Sequence, residues 1–557
     1  MKKLLYLAAI LFSATNFSIA QIIITDSDLV GGETYNWTSD NVYILDGFVF
    51  LEEGGVLNIE AGTVILGRED PMTSDNASAL IISRGAQIFA EGTQTDPIIF
   101  TTEIDDVTDP FDTDDTDQGF WGGIIILGNG ILGDNTTEVG VEGIPAGEER
   151  ALYGGSNDAD NSGVLRYVSI RHGGAELSPG DEINGLTLGG VGSGTTIENI
   201  EVFANSDDGI EFFGGAVNVK GAVVAFCGDD SFDWDTGWRG NGQFWFSIQA
   251  EDNGDNGAEM DGAKPDDNAR FSQPNIVNAT YIGSGPGASA KNEHALLFRD
   301  GTGGSYINSI FTSFKDKGIQ VEDLDTGLDS RQRLENGELT IANNIWFDFG
   351  NNISIEDIVN PTTAGGEIAF LASHLADNGN TIEDPGFVID RFQNGELNVL
   401  PNQIVYAGVG SVEGAFFTPA SYKGAFCDDG AWIAGWTALS QNEYLSADVP
   451  FADFEACDLT TSTTDIFAEE NGFILAPNTP NPALEFTNFN FSIPATATVT
   501  LTVSDATGRM VATVLENERR TEGDYTERFN TSNLVSGLYF YSLQSEGIKL
   551  TKTFIVK

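Results

Sequence analysis

Short hydrophobic runs, separated by clusters of glycine, asparagine and aspartate, recur along residues 21–440. Apolar and polar positions alternate within these runs, as in Leu57-Asn58-Ile59, and no long window shows the 3.6-residue period of an amphipathic helix. A period of two is typical of a strand with one buried face. The pattern therefore predicts an all-β body made of short strands and tight turns.

The body repeats itself along the sequence. Residues 198–215 align with residues 220–237, so that Asp207-Asp208 falls on Asp229-Asp230. A repeat of about 22 residues made of short strands is typical of one coil of a parallel β-helix, in which each coil covers the apolar edge of its neighbour. A propeller is the alternative all-β fold, but its blade signatures are missing. Related segments occupy residues 165–170, 197–202, 305–311 and 341–347.

The first coils resemble those of a known group of proteins. Residues 56–65 and 80–101 are similar to the first coils of right-handed, pectate-lyase-like β-helix surface proteins. The resemblance covers roughly residues 40–430 and implies a right-handed parallel β-helix without specifying an activity. We expect this body to span residues 21–440, with residues 422–437 forming a cap at its end.

The last part of the chain has a different composition. Residues 473–557 carry eight acidic and seven basic residues, so almost all of the net charge of −58 lies before them. Val499, Leu501 and Val503 alternate with polar residues, and about seven such strands predict a small β-sandwich. Residues 441–472, rich in threonine and acidic residues toward their end, are predicted to be a linker.

Motifs of this tail resemble the type A C-terminal sorting domain of the type IX secretion system of Bacteroidota. The resemblance implies that residues 473–557 engage the type IX secretion machinery. It also implies export across the outer membrane, removal of the tail, and release or cell-surface attachment of the body. The matching elements are Pro480-Asn481-Pro482, a turn from Asp505 to Gly508 and Arg509, the segment Leu534, Gly537 and Tyr539, and a terminal strand with Lys552 and Lys557.

The N-terminus has the pattern of a secretory signal peptide, predicted to span residues 1–20. Lys2-Lys3 precedes the apolar run Leu4–Phe12, and Ser18-Ile19-Ala20 supplies small residues for cleavage. No later apolar run approaches the ~20 residues of a membrane-spanning helix, so no transmembrane segment is predicted. The protein is expected to be secreted or to lie on the outer cell surface.

Charge and cysteine content exclude several classes of function. With 84 acidic and 26 basic residues, the chain repels phosphate backbones, which excludes nucleic-acid binding. Three cysteines are too few for a disulfide scaffold. Cys427 and Cys457 are predicted to form a disulfide in an oxidising exterior, whereas Cys227 is predicted to be a buried apolar residue.

Acidic residues of two adjacent coils suggest a calcium site. If Phe212 and Trp234 point inward, the acidic residues of the same strands point outward, and stacking at ~4.8 Å places like charges side by side. A calcium ion bound by carboxylate oxygens removes that repulsion, and a solvated acidic surface is the alternative. The predicted ligands are Asp207, Glu211, Asp229, Asp233 and Asp235, while Asp208 and Asp230 are predicted to hydrogen-bond backbone amides in the turn.

Two loops have the spacing of calcium-binding loops. Asp158, Asp160 and Ser162 place oxygen atoms at alternate positions before Gly163, which permits a sharp turn. The segment 112–119 is similar but less regular. A solvated polar loop is the alternative in both cases.

An enzyme on the same scaffold is the second interpretation. Gly228-Asp229-Asp230 resembles the motif of polygalacturonase-type hydrolases, in which paired carboxylates act as acid and base. His294 and Arg299 complete the candidate catalytic set, but other motifs of those enzymes are missing. A lyase would instead use a basic residue beside calcium. Its candidates are Arg239, Lys264, Lys291 and Arg299.

The sequence thus favours a calcium-stabilised binding or adhesion module, with carbohydrate as the partner. Phe213, Trp238 and Trp245 are predicted to point outward as platforms for sugar rings. The polysaccharide-degrading enzyme is the alternative, and it requires Asp229, Asp230, His294 and Arg299 to meet in one groove.

Deleting residues 473–557 is expected to trap a folded body in the periplasm, because the tail carries the resemblance to the sorting signal. Cell fractionation followed by immunoblotting measures the location, with the full-length chain as control. Normal surface delivery of the truncated chain would contradict the assignment.

Overall fold

A computed structural model divides the chain into two compact units, Met1–Asp458 and Leu459–Lys557. The predicted signal peptide lies outside the described residues except for Ala20, which begins the first strand. The structure describes residues 20–133, 136–177, 182–289, 291, 294–315, 317–350, 354–360, 368–454, 474–476, 478, 480, 483–484, 486–505, 509–535, 537–545 and 548–557.

The first unit is a parallel β-helix, which confirms the predicted fold class. Its strands form a ten-stranded and an eighteen-stranded parallel sheet. The ten-stranded sheet contains Phe48–Leu51, Ala79–Ile82, Gly123–Leu127, Leu186–Gly189, Ile210–Phe213, Phe232–Asp235, Ala258–Met260, His294–Phe298, Lys317–Val321 and Val359–Asn360. The eighteen-stranded sheet contains Ala20–Ile24, Thr34–Trp37, Asn41–Leu45, Val56–Ile59, Val64–Gly67, Gln87–Glu91, Ile98–Thr102, Gly163–Arg171, Thr196–Phe203, Asn218–Ala225, Asn241–Ile248, Asn275–Val277, Thr280–Ile282, Gly304–Ile307, Ile310–Thr312, Leu339–Ala342, Ile345–Phe347 and Thr381–Ile382.

The strand register confirms the predicted repeat. Ile210 pairs with Phe232 and Glu211 with Asp233, which is the alignment of residues 198–215 on residues 220–237. One coil earlier, Leu165 pairs with Ile197, again as the sequence indicates. Similar residues of successive coils therefore lie directly beside one another.

The eighteen-stranded sheet bends at one residue in each of seven successive coils. The strand Gly163–Arg171 pairs with Gln87–Glu91 before this bend and with Ile98–Thr102 after it. The bending residue has a positive φ, which glycine adopts freely and asparagine tolerates better than most residues. The seven corner residues are Tyr167, Asn199, Gly221, Phe244, Asn278, Asn308 and Asn343, with φ between 48° and 70°.

Aromatic rings fill the interior of the coils. Phe212 stacks on Trp238 with ring centroids 4.0 Å apart and on Trp245 at 5.8 Å. The prediction that these two tryptophans point outward is wrong, since both are completely buried. Trp238 follows Thr236 and Gly237, and Trp245 follows Phe244, all at positive φ, so the two-residue alternation does not continue across these corners.

Phe213 is not an exposed platform either. The ring is buried and lies against Tyr153, with ring centroids 5.8 Å apart. Tyr153 belongs to a small antiparallel pair, Val139–Gly140 with Leu152–Tyr153, which covers this position. All three predicted sugar platforms are therefore unavailable to a ligand.

A long segment, residues 397–454, covers the outside of the eighteen-stranded sheet. It packs on outward-facing apolar residues such as Phe203, Val223 and Phe246, which are buried in the same cluster as Trp432 and Trp436. We predicted residues 422–437 as a cap at the end of the helix, and the structure instead places them along its side. The reason is that these strands are apolar on both faces and need cover on both.

The predicted linker begins later than residue 441. Tyr444 and Leu445 are buried in the cluster of the covering segment, so residues up to 454 belong to the body.

Cys427 is disulfide-bonded, and its predicted partner Cys457 lies outside the described residues. Cys227 is a free, buried cysteine, and burial raises the pKa of its thiol.

Few helices interrupt the coils. The helix Ile368–Asp377 buries Leu371 and Leu375 against the same core as Trp346 in one of the last coils. Within the described residues, no helix has the length and apolar character that crossing a bilayer requires. In the described part of the chain, the other α-helices are Ser330–Glu335, Ile355–Ile358 and Ala438–Gln441, and the 3₁₀ helices are Asp26–Asp28, Glu149–Ala151 and Gln403–Tyr406.

The second unit contains two antiparallel sheets around their own core, as predicted for a small sandwich. Tyr539 is buried and its hydroxyl donates to the Val535 carbonyl (2.8 Å), while the Lys557 amide donates to the Ala483 carbonyl (2.9 Å). Lys552 is exposed in the last strand, and Gly508 lies outside the described residues. The strands are Ile474–Leu475, Phe486–Ile493 and Gly523–Asn530 in one sheet, and Met510–Arg520, Ala497–Asp505, Gly537–Ser545 and Ile548–Val556 in the other.

Asn344→Ala is expected to lower the free energy of unfolding of the body by about 2–3 kcal/mol. The Asn344 side chain is completely buried, accepts from the Ser309 amide (2.7 Å) and donates to the Tyr306 carbonyl (3.0 Å), so both backbone groups lose their partner. Urea unfolding measures the change. The control Asn275→Ala, at an exposed asparagine of the same helix, is expected to cost less than about 1 kcal/mol. An equal loss in both variants would contradict the role of burial.

Candidate acidic site

Carboxylates are concentrated at the N-terminal ends of three consecutive strands of the ten-stranded sheet. The strands Ile210–Phe213 and Phe232–Asp235 each follow a turn with two aspartates, and Ala258–Met260 follows the turn Asp255-Asn256. In each of these strands the second residue is acidic. Because the strands are parallel and in register, the same pattern is repeated on three neighbouring coils.

The acidic residues of the strands form one row. Glu211 pairs with Asp233, and Asp233 pairs with Glu259. The row ends at Thr187 on one side and at Leu297 on the other. Three like charges thus stand next to one another at the spacing of hydrogen-bonded strands, ~4.8 Å.

A second row runs through the turns. Asp208 Oδ1 accepts from the Asp230 amide (2.9 Å), and Asp230 Oδ1 accepts from the Asn256 amide (2.5 Å). These hydrogen bonds confirm the predicted turn ladder. They fix the orientation of both buried carboxylates and hold the turns of the three coils together.

The two rows line a cleft with a volume of about 400 Å³. Every residue of its lining except Asn184 is acidic. Asn184 donates to Glu142 Oε1 (3.1 Å) and to Glu211, which ties both carboxylates to the cleft wall. The acidic lining residues are Glu142, Glu182, Asp207, Asp208, Glu211, Asp229, Asp230, Asp233, Asp255 and Glu259.

Basic side chains neutralise only the rim. Lys291 Nζ lies 3.2 Å from Asp229 and 3.6 Å from Asp255, and Arg299 pairs with Glu259. Among the residues that the structure describes, the other seven carboxylates of the cleft have no lysine or arginine within ion-pair distance. The cleft therefore has a large excess of negative charge. These seven are Glu142, Glu182, Asp207, Asp208, Glu211, Asp230 and Asp233.

The charge excess and burial raise the pKa values of the cleft carboxyls. Burial, followed by the charge of Glu182, raises the pKa of Asp207 to about 7. Burial also raises the pKa of Glu259 to about 7, although Arg299 opposes this shift. For Asp208, Glu211, Asp230 and Asp233, burial and the neighbouring carboxylates raise the pKa well above the ordinary value. Without a cation, the cleft binds protons near neutral pH.

The geometry suits a cation as well as protons. Four groups of three carboxylates each present one oxygen per residue within 4.8 Å of the others. The buried Asp233 Oδ1 has no hydrogen-bond partner in the structure. An all-oxygen ligand set of this kind suits calcium, which takes six to eight oxygen ligands in flexible geometry. The groups are Asp207, Asp208 and Asp229; Asp208, Glu211 and Asp233; Asp229, Asp230 and Asp255; and Asp230, Asp233 and Glu259.

The structure brings four of the five predicted coil ligands together in the cleft. Asp207, Glu211, Asp229 and Asp233 line it, whereas Asp235 does not. Asp235 Oδ1 instead accepts from the Thr236 amide. It lies two residues beyond Asp233 along the strand, opposite Phe213 of the preceding coil.

The loop with Asp158, Asp160 and Ser162 lies elsewhere. Asp158 Oδ1 accepts from the Ile131 amide (2.8 Å), and Asp160 Oδ2 accepts from the Asn129 amide (2.9 Å). The Ser162 side chain is buried. These hydrogen bonds give both carboxylates a structural role in holding the 129–131 segment, and the calcium prediction for this loop stays a prediction. In the 112–119 loop, carboxylates accept from backbone amides of the same loop and its neighbours.

The candidate catalytic residues do not share one groove. Asp229 and Asp230 line the cleft, but His294 is buried between Asn256 (3.2 Å from Nδ1) and Asn360 (2.6 Å from Nε2). Arg299 donates to both oxygens of Asp261 (2.9 and 3.0 Å) besides Glu259. The enzyme interpretation requires all four candidate residues to meet in one groove, and this geometry does not meet that requirement.

Sequence reasoning missed Glu142, Glu182, Asp255 and Glu259. The last two were detectable, because Asp255-Asn256 before the strand Ala258–Met260 repeats the pattern of the preceding coils. The register places Asp233 opposite Glu259, so a few inserted residues in this coil obscure the repeat. Glu142 lies in the irregular excursion between coils, and no periodic signal identifies it.

Comparison with known families agrees with this architecture. Residues 31–390 match the family model described as a pectate-lyase-like β-helix domain. Residues 479–557 match the secretion system C-terminal sorting domain. The first match covers more than half of the chain, and both resemblances inferred from the sequence are confirmed. A search of the curated proteins found no match.

In chelator, the melting temperature of the protein is expected to rise as the pH falls from about 8 to about 5. The native cleft carboxyls have raised pKa values, about 7 for Asp207 and Glu259, whereas unfolded carboxyls titrate near ~4. Between these values the native state binds more protons, so acidification stabilises it. Differential scanning calorimetry across this range measures the trend. A melting temperature that falls steadily over the same range would contradict the raised pKa values.

Proposed function

Because the chain belongs to the pectate-lyase-like β-helix family and ends in a type IX secretion sorting domain, we propose that it is an exported, calcium-stabilised binding module for carbohydrate. The sorting domain indicates export to the cell surface or secretion. The single observation that carries the proposal is the cleft, in which carboxylates of successive coils converge with few basic partners. The calcium site and the carbohydrate partner are the proposed parts.

Electrostatic repulsion supports a bound cation. Two carboxylate oxygens within 4.8 Å of each other repel by about 3 kcal/mol at an effective dielectric constant of ~20. Several such pairs occur in the cleft, and folding brings them together at a corresponding cost. A divalent cation converts the repulsion into attraction and stabilises the native coils by mass action.

Calcium fits the chemistry better than other divalent ions. The ligands are oxygens only, which disfavours zinc, and they come from several flexible side chains, which disfavours the strict octahedron of magnesium. Extracellular calcium modules bind with dissociation constants of about 10⁻⁴–10⁻³ M. Export places the cleft in the compartment where such affinities are sufficient.

A bound ion also offers a means of binding carbohydrate. Calcium accepts six to eight oxygen ligands, and positions not taken by carboxylates are open to hydroxyl or carboxylate oxygens of a sugar. The ion reduces the negative charge that otherwise repels an acidic polysaccharide. The cleft alone is too acidic for such a ligand, so binding in this cleft is expected to require calcium.

Chelation is expected to lower the melting temperature of the wild-type protein. The loss corresponds to about 2.7 kcal/mol at a calcium concentration of 100 times the dissociation constant. The double variant Asp229→Asn/Asp233→Asn removes one carboxylate from each of the four triads of the cleft, so its melting temperature is expected to respond little to calcium or chelator. Calorimetry and calcium titration measure stability and binding.

The matched control is Asp40→Asn/Asp70→Asn, which changes two exposed aspartates outside the cleft lining and removes the same charge. It should retain the full response to calcium. Sodium chloride at matched ionic strength tests screening. If sodium chloride at matched ionic strength stabilises the protein to the same extent as calcium, the cleft is a solvated acidic surface.

Glycan arrays probed with the calcium-loaded and the chelated protein test the carbohydrate part. Calcium-dependent binding of uronate-containing glycans, lost in Asp229→Asn/Asp233→Asn, is the expected result. Release of reducing ends from bound glycans would show that the protein is a polysaccharide-degrading enzyme and not a binding module. Absence of any calcium-dependent binding would leave calcium a structural ion only.

A further inference from the structure

A second cavity lies outside the acidic cleft, where the covering segment, residues 397–454, meets an early coil of the β-helix. Its volume is about 640 Å³, within the range of pockets that enclose small ligands. Residues 434–451 form most of its wall, Gln94 contributes from the coils, and residues 394–395 complete it. We name this cavity the side pocket.

The lining of the side pocket is almost free of charge. Glu443 is the one charged residue among its lining residues, all of which belong to the described part of the chain. Amides of Gln94 and Asn394 and hydroxyls of Ser440 and Ser446 supply neutral hydrogen-bonding groups. In a chain with a net charge of −58, such a lining favours an uncharged, hydroxyl-bearing ligand.

An aromatic ring adds an apolar surface to these polar groups. Phe451 lines the pocket, and 40% of the residue is exposed. Leu445 and Val449 also contribute to the lining. Sugar rings present C–H groups on one face and hydroxyls at their edges, so a ring stacked on Phe451 places its hydroxyls among amide and hydroxyl groups.

The wall of the side pocket is held in place by hydrogen bonds. Gln94 Nε2 donates to the Ala434 carbonyl (3.2 Å), and the Gly435 amide donates to Ser440 Oγ (2.8 Å). Gly435 has φ +90°, and a Cβ at this position would lie 2.5 Å from Gln94 Nε2. A side chain at this position would strain the backbone and displace the end of the Gln94 side chain, so Gly435 favours the observed contact between the two segments.

We propose that the side pocket binds an uncharged oligosaccharide through one or two sugar rings, independently of any cation. The site is separate from the acidic cleft, since the two share no lining residue. It gives the exported body a second mode of carbohydrate recognition that does not rest on the calcium proposal.

Calorimetric titration with uncharged tetrasaccharides tests the proposal. The probes are the tetrasaccharides of β-1,4-glucan, α-1,4-glucan, β-1,3-glucan, β-1,4-mannan and β-1,4-xylan, each titrated into the full-length protein with calcium and with chelator. At least one is expected to bind equally under both conditions. Phe451→Ala is expected to weaken that binding at least tenfold.

Control variants test whether a loss of binding comes from the side pocket itself, and not from the removal of any exposed ring or from the acidic cleft. Phe392→Ala removes another exposed ring, 60% exposed and outside the pocket lining, and should leave binding unchanged. Gln94→Leu keeps the side-chain volume but removes the amide, and should weaken binding even if Phe451→Ala fails to fold. Asp229→Asn/Asp233→Asn should have no effect here, so failure of the calcium proposal remains distinguishable.

Three results would overturn the proposal. They are the absence of binding by every probe at millimolar concentration, binding that chelator abolishes, and equal affinity of wild type, Phe451→Ala and Gln94→Leu.

Discussion

The parallel hydrogen-bonded ladder between coils is the constraint on which the rest of the body depends. It places each residue beside its equivalent one coil away, at ~4.8 Å, whatever the chemistry of the side chain. Inside the coils this brings Phe212 beside Trp234 and builds a continuous apolar core. Outside, the same ladder brings Glu211 beside Asp233, where stacking is unfavourable unless a proton or a cation intervenes. The core and the acidic site are thus two consequences of one register.

The acidic rows are tolerated because hydrogen bonds hold them and because they are short. Asp208 and Asp230 accept from backbone amides of the next coil, so part of their desolvation is compensated. The row of Glu211, Asp233 and Glu259 is limited to three coils. Each further coil with an acidic residue at this position would add another like-charge contact.

The covering segment supplies what the coils cannot. Strands that are apolar on both faces leave one face toward solvent, and residues 397–454 bury that face. Buried polar groups fix its path, since Glu201 accepts from the Ala438 amide (2.7 Å) and Asn278 donates to the Tyr422 carbonyl (2.7 Å). Where the segment meets Gln94 it leaves the side pocket, in whose lining Glu443 is the one charged residue. The acidic cleft and the side pocket therefore differ in chemistry although both lie on the same body.

The sequence by itself determined the all-β class, the coil repeat with its register, the two parts of the chain and the central carboxylates of the cleft. These features are periodic or local, and the hydrogen-bonded register converts a sequence shift directly into contact. Only the tertiary structure decided that Trp238 and Trp245 point inward, because residues at positive φ break the two-residue alternation before each of them. It also decided that Glu142 joins the cleft and that residues 397–454 lie along the side of the coils. Contacts between segments so far apart in sequence depend on the course of the irregular segments and on buried polar partners. Neither of these produces a periodic pattern in the sequence.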